Sequence, residues 1–392
     1  MNSTLERFGR RIRLGVIGGG PGSFIGPVHR AAARLADRYE VVAGVLSSDP
    51  AKSRRCGIEV GFAPDRAYRD AAAFFAGERG RADRVDAVAI MTPNDSHYAL
   101  CCAAIAAGMD IICDKPLTTS LTDAMDLQRR VEESGLVFCH TFNYTGYPLV
   151  RQARAMVRDG ELGEIRLVQV EYVYGNSAEI VEGETEDPPR HWHYRHESMG
   201  SSLILLDIGS HAHHMVRFVT GREFESVSAD VARIVPGRKS DDHASLLFRM
   251  EGGAHGVMWI TQSAAGSVNG LQFRVFGARG GLIWRQETPN QLHHLRHRQP
   301  EQIFERNGPG LKPEAVRACH VAMGHPEGYQ EAFSTLYDDA AEAIVSRRLG
   351  ESPRFPLSEM PTVADGVRTL QFVEAALASA RDGRWARCGW PD

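Results

Sequence analysis

The feature that most constrains this chain is an alternation running from Ile12 to Thr141. The short β-branched runs IRLGVIGG, VVAGVLS, VDAVAIMT, MDIICDK and LVFCHTF are separated by longer helical stretches such as HYALCCAAIAAG and SLTDAMDLQRRVEESG. Strands that read as continuous apolar runs, each followed by a helix, indicate a parallel sheet covered on both faces. The pattern predicts a doubly wound α/β domain over residues 1–141. A chain of 392 residues exceeds the span of one hydrophobic core, so a second domain is expected.

The texture changes after Gly163. EIRLVQVEYVYG, FESVSADVARIV, HASLLFRM, AHGVMWITQ, LQFRVFGARG and GLIWRQ are extended runs with few helices between them. Consecutive strands without helical crossovers favour an antiparallel or mixed sheet, which predicts an α+β domain with a large, mainly antiparallel sheet over residues 142–360. Alternation in LVQVEYVY implies one packed face and one available to a partner. The stretch HHLRHRQPEQIFERNGPGLKPEA reads as a long polar loop, and TVADGVRTLQFVEAALASARDG, within residues 361–392, as a closing helix with a glycine behind it.

Charge and cysteine usage narrow the partners. The chain has 45 basic and 49 acidic residues, a net charge of -4, which recommends neither nucleic acid nor an anionic membrane. No run approaches the roughly 18 to 20 apolar residues of a membrane span, and the N-terminus lacks a signal-type apolar core. The seven cysteines show no C-x-x-C pair and read as reduced, hence cytoplasmic. A neutral small molecule is the expected ligand.

The first strand ends in VIGGGPGSFIG, giving G-x-G-x-x-S at Gly18, Gly20 and Ser23 ahead of the helical VHRAAARLA. Glycines there let the backbone approach a pyrophosphate, whose charge the next helix N-terminus stabilises. Pro21, Phe24 and Ile25 belong to the same turn, which Ser23 in the third glycine place and the residues up to Gly26 lengthen. A turn of this kind also serves packing alone, and its position after the first strand of a βαβ pattern favours the dinucleotide. At the end of VAGVLSSDP the residue that would bridge the ribose hydroxyls of NAD is Ser47 rather than a carboxylate, with Asp49 two residues on. Ser47 and Ser48, with Lys52 and Arg54 nearby, would equally receive a 2′-phosphate, so these residues leave NAD and NADP both open. Two further strands end in MTPNDSH and CDKPL, at the carboxyl edge where open α/β sheets bind ligands. They bring Thr92, Pro93, Asn94, His97, Asp114 and Lys115 to the cofactor's expected position.

Together with the later LDIGSH, the segments TPNDSH and DKPL resemble the glucose–fructose oxidoreductase, inositol dehydrogenase and rhizopine catabolism family, written Gfo/Idh/MocA. The resemblance runs in order over nearly the whole chain. Asp114, Lys115 and Pro116 stand where the family usually has Glu-Lys-Pro, and Asp207, Gly209 and His211 match its D-x-G-x-H element. GGGPGSFIGPVHRAAA, NYTGYP and GHPEGY are similar to a branch that includes levoglucosan dehydrogenase and enzymes oxidising the 3-hydroxyl of glucosides. What the resemblance implies is a Rossmann domain binding NAD, a sheet-rich domain that holds the substrate and makes a homodimer or homotetramer interface, and oxidation of a sugar, anhydrosugar or cyclitol hydroxyl.

The chemistry of the residues agrees with that expectation. Oxidising a secondary alcohol requires a base for the hydroxyl proton and a positive group for the developing oxyanion. His211 and Lys115 suit these roles, and Asp207, one helical turn before His211, would cap the helix, orient the imidazole or hold a second hydroxyl. Asn143 and Tyr144 are expected near nicotinamide or substrate, with Trp192, His193 and His214 as further substrate contacts. Relatives often carry Trp-Arg and a glycine pair where this chain has Trp192 with His193 and Ser202 with Leu203, which puts inherited specificity in question. The histidines at 191, 193, 196, 211, 213 and 214 lack a Cys or carboxylate at metal spacing, so no metal is expected. Two other readings stand beside the dehydrogenase: a redox-assisted glycoside-cleaving enzyme that keeps NAD bound, and a non-catalytic nucleotide sensor.

Overall fold

In the computed structural model, which describes residues 3–180 and 192–389, the apolar runs become strands β1 (Ile12–Gly18), β2 (Tyr39–Val45), β3 (Ala87–Met91), β4 (Asp110–Cys113) and β5 (Phe138–His140). They pair in parallel in the order β2-β1-β3-β4-β5. Every residue of β3, β4 and β5 is buried, which is why these runs lack a polar alternate. Strand order reverses between β1 and β3, and the carboxyl ends there are where such sheets open a ligand crevice.

The chain divides into two compact units, and the first is not contiguous. It comprises Met1–Thr118, Thr122–Asn143 and Tyr329–Val367, whereas the sequence pattern closes it at Thr141. The reason lies in the helix Tyr329–Leu349, whose Phe333, Leu336, Tyr337, Ala340 and Ile344 share one core with Ile12, Leu14, Val16, Ala89 and Cys139 of the sheet. The Tyr39 hydroxyl donates to the Tyr337 carbonyl at 2.8 Å, and Arg347 and Arg348 reach the buried Asp110 carboxylate at 2.8 and 3.2 Å. The closing helix is Val363–Asp382, followed by Gly383 at φ 64°. The second unit takes up the chain from Arg368, inside that helix.

The second unit also contains Tyr144–Gly328 and is built on a nine-stranded sheet. Its strands are β6 (Ile165–Val173), β7 (Phe224–Ala232), β8 (His243–Met250), β9 (His255–Thr261), β10 (Gly270–Gly277), β11 (Gly280–Arg285), β12 (Gln291–Arg296), β13 (Gln302–Glu305) and β14 (Ala386–Arg387). The order is β13-β12-β11-β10-β6-β9-β8-β7-β14, and only β6 with β9 pairs in parallel. Along β6, β8 and β10 buried residues alternate with more exposed ones, so one face packs and the other stays open. The stretch expected as a long loop holds β12, β13 and the short helix Pro313–Arg317. Polar side chains suit β13 at the sheet's edge and the half-exposed alternate positions of β12, and that composition concealed the strands.

Leu336 is fully buried in the core of the first unit. Leu336→Ala should cost about 2–5 kcal/mol in urea unfolding and raise amide exchange in β1 and β3, while a loss below about 0.5 kcal/mol would place this helix outside the core.

Candidate active site

The glycine turn after β1 is shaped by backbone crowding. Gly18 has φ 90°, and a Cβ on it would sit 2.5 Å from the Met91 carbonyl oxygen. A Cβ on Gly20 would lie 1.9 Å from the Leu46 carbonyl oxygen, and one on Gly26 1.9 Å from that of Gly19. The close packing of helix on turn is therefore made by Gly26, inside the helix Ile25–Leu35, three residues beyond Ser23. Ser23 instead accepts a hydrogen bond from the Gly26 amide on its hydroxyl at 3.3 Å. Pro21 and Phe24 are exposed and Ile25 half-buried, and the buried Arg30 donates to the Gly19 carbonyl at 2.6 Å. Bare backbone at a helix N-terminus fits a dinucleotide's pyrophosphate.

After β2, Ser47 is half-buried and Ser48 exposed. The Asp49 carboxylate accepts from the Lys52 amide at 2.6 Å and caps the helix Pro50–Glu59, and its own amide donates to Ser47 Oγ at 3.1 Å. Asp49 is thus committed to starting a helix.

The loops after β3 and β4 are tied together by His97. Its buried ring places Nε2 2.9 Å from the Thr92 carbonyl and Nδ1 2.8 Å from that of Pro116. Pro93 is exposed and Asn94 half-buried, beginning a 3-10 turn. Asp114 Oδ1 accepts from the Lys115 amide at 2.9 Å and from the Thr141 hydroxyl at 2.8 Å, which fixes the backbone on which the half-buried Lys115 rides. Asn143 is buried with no hydrogen-bond partner for Nδ2, a donor suited to a carboxamide or hydroxyl of a ligand.

In the second unit the segment LDIGSHAHH corrects one expectation. Asp207 caps no helix: Ile204 already has helical angles, Leu205–Gly209 form a π-helical turn, and the helix Ser210–Thr220 follows. Single π-turns inside helices recur at functional sites. The Asp207 carboxylate accepts from Gln262 Nε2 at 2.7 Å. Gln262 is anchored through its amide to the Asp242 carbonyl at 3.0 Å, and Asp242 forms a buried ion pair with Arg238 at 2.9 Å.

His211 is buried with its ring edge-on to Tyr144, centroids 4.9 Å apart at 88°. Tyr144 shares a 2.7 Å hydroxyl contact with Tyr172, and burial pushes its phenol up to about 12, with the Asp207 charge adding to the rise. Asp207, His211, Tyr144, Tyr172 and Gln262 therefore form one group.

The remaining expected contacts divide. Trp192 and His193 are half-buried with rings 3.6 Å apart. His214 is buried near Phe218, and His213 stacks on Phe372 at 4.4 Å in the core. Ser202 and Leu203 are also interior. Ser202 donates to Asp241, which accepts from the Leu203 amide at 2.8 Å, and burial raises the Asp241 carboxyl. His191 lies outside the described residues. Among the described residues no group of three or more His, Cys, Asp or Glu side chains is gathered to hold a metal. Sequence reasoning placed Gly26 only as the end of a longer turn and missed Arg30, Tyr172 and Gln262, which carry no motif signal.

Residues 12–142 match the family model described as an oxidoreductase family with an NAD-binding Rossmann fold, and residues 150–283 match the GFO/IDH/MocA C-terminal domain. The chain belongs to the GFO/IDH/MocA family of oxidoreductases, and with it to the NAD-dependent dehydrogenases of sugars and polyols. It is 41% identical to an oxidoreductase from Sinorhizobium meliloti, whose crystal structure superposes with a TM-score of 0.86 over 96% of this chain and 99% of that one. An inositol dehydrogenase homolog from Azotobacter vinelandii, crystallised with NADH and myo-inositol, is 35% identical with a TM-score of 0.89 over 96% and 98%. Levoglucosan dehydrogenase of Pseudarthrobacter phenanthrenivorans is 27% identical over 53% of this chain and 57% of that protein.

Gly26→Ala, which forces a Cβ onto the Gly19 carbonyl, should raise the Kd for NAD at least tenfold in calorimetric titration. Gly80→Ala, with open space around it, should stay within twofold, and equal affinities in all three proteins would refute the cradle.

Proposed function

We propose that the protein oxidises a secondary ring hydroxyl of a sugar, anhydrosugar, glucoside or cyclitol to a ketone, with NAD as acceptor. The observation that carries this reading is the pairing, on one helical segment, of Asp207 held by Gln262 and His211 held edge-on by Tyr144. It provides a charge, an imidazole and phenols at one place, the set that a polyhydroxylated ring needs.

NAD, when bound, supplies the hydride acceptor. His211 takes the hydroxyl proton on its imidazole, and Asp207 steadies the imidazolium that results. Lys115 gives its positive charge to the oxygen as the carbon–hydrogen bond breaks. Gly18, Gly20 and Gly26 seat the pyrophosphate, and the Ser47 hydroxyl meets the ribose where a carboxylate would otherwise stand. With Ser47 in that place the loop itself does not decide between the two cofactors, so the preference for NAD rests on the relatives crystallised with NAD+ and NADH. Tyr144, Trp192 and His193 offer ring faces and polar tips to the sugar. The glycoside-cleaving and sensor readings have no separate support in this site.

The open sheet face is assigned to a second copy of the chain, giving a homodimer or homotetramer. Leu247 pairs with Val257, and Ser245 with Trp259, so these side chains lie on one face with Leu167 nearby, and all four apolar ones are exposed. The free state of all seven cysteines supports a cytoplasmic location.

In an assay of NAD and NADP reduction against myo-inositol, levoglucosan, methyl glucosides and aldoses, at least one compound should be oxidised with kcat/KM favouring NAD. Net reduction with none, or a tenfold preference for NADP, would count against this reading. Lys115→Ala and His211→Ala should each lose most turnover while still binding NAD. Asp207→Asn keeps an acceptor for Gln262, so stability should stay within about 1 kcal/mol while oxidation slows at least tenfold. Light scattering should give a mass of two or four chains, and Trp259→Asp should lower it; a monomeric wild type would remove the interface.

A further inference from the structure

The helix after the glycine turn carries a buried histidine that dinucleotide binding does not explain. His29 Nδ1 lies 2.8 Å from the Tyr337 hydroxyl, and Phe333 packs edge-on at 5.1 Å. Its Nε2 has no hydrogen-bond partner and stands 3.9 Å from Asp114 Oδ2. The other oxygen of Asp114 is the one that accepts from the Lys115 amide and the Thr141 hydroxyl. A polar chain buried in the first unit thus runs from Tyr337 through His29 to the residue beside Lys115.

We propose that His29 and Tyr337 are positioning residues for Lys115, acting by fixing the Asp114 carboxylate on which the lysine's backbone hangs. The proposal rests on the assignment of Lys115 to the reaction made above. Its core is a tautomer. Burial pushes the Tyr337 phenol well up, so the hydroxyl keeps its proton. Burial also pulls the imidazole of His29 down, aided by Arg30 on its own helix and opposed by the Asp114 charge, which keeps the ring neutral. These are the charged and titratable groups that face it.

A neutral imidazole has one N–H. When Tyr337 donates to Nδ1, that hydrogen sits on Nε2 and points toward the carboxylate. The opposite tautomer would set a lone pair against a negative charge. A shift of about 1 Å brings Nε2 to the roughly 2.7–2.9 Å of a charge-assisted hydrogen bond, and such bonds are often long before ligands bind.

The test begins with histidine 15N NMR at pH 7.5, the His29 signals being identified by their loss in His29→Gln. The neutral Nε2–H form is expected in the wild type, with mixed tautomers in Tyr337→Phe. An Nδ1–H ring or an imidazolium in the wild type overturns the proposal. The Lys115 amide resonance should move in His29→Leu and stay near its wild-type position in His29→Gln, which keeps a donor close to the place of Nε2. With the best-oxidised compound of the panel, kcat should fall at least tenfold in His29→Leu but no more than threefold in His29→Gln, at similar Tm and NAD affinity. Equal losses in the two variants, or wild-type kcat in His29→Leu, also overturn it. Full turnover by Lys115→Ala would instead defeat the catalytic assignment, and the tautomer and amide shift would still decide the positioning role.

Discussion

A parallel sheet that is apolar on both sides has to be covered on both sides, and the first unit meets that requirement with a helix drawn from far along the chain. Phe333, Leu336, Tyr337 and Ile344 lie in one core with Leu14, Val16 and Ala89. Burial is not their only contribution. The same helix brings the Tyr337 hydroxyl to His29, and Arg347 and Arg348 to Asp110. Sheet coverage, the seating of His29 on the helix after the glycine turn and the pairing of Asp110 at the amino end of β4 are thus achieved by one element.

Acidic side chains in each unit are held by specific donors. Asp49 caps a helix, Asp114 holds the Lys115 amide and the Thr141 hydroxyl, Asp207 accepts from Gln262, and Asp242 pairs with Arg238. A carboxylate with a fixed donor has a fixed direction, and pre-aimed charge requires little reorganisation as a reaction proceeds. The Asp242 pair has a further use. Its backbone carbonyl seats Gln262, so a buried ion pair beside the sheet bears on the aim of Asp207.

Sequence pattern made the two sheets legible because each has its own period: continuous apolar runs in one and alternation in the other. Gly18 and Gly20 were readable because no other residue tolerates such close approach of backbone. Other features had no local signature. β12 and the edge strand β13 are polar and short, identified only by pairing. Asp207 before a helical run looked like a cap, yet a π-turn depends on how the surrounding helix packs, which no short motif encodes. Gln262 lies 55 residues from Asp207, and Tyr337 is 308 residues from His29; contacts at such range follow from the completed fold.

The division of the first unit between the two ends of the chain also bears on how the protein is made. A ribosome delivers β1 to β5 early, then the whole of Tyr144–Gly328, and only afterwards the helix that completes the first core. Throughout that interval the nascent sheet lacks Phe333, Leu336 and Ile344 as neighbours. Apolar surface left uncovered during synthesis invites non-native association, and contacts of such long sequence separation form slowly. A chain interrupted before residue 329 would hold the residues of the glycine turn but not those that close the core around its sheet.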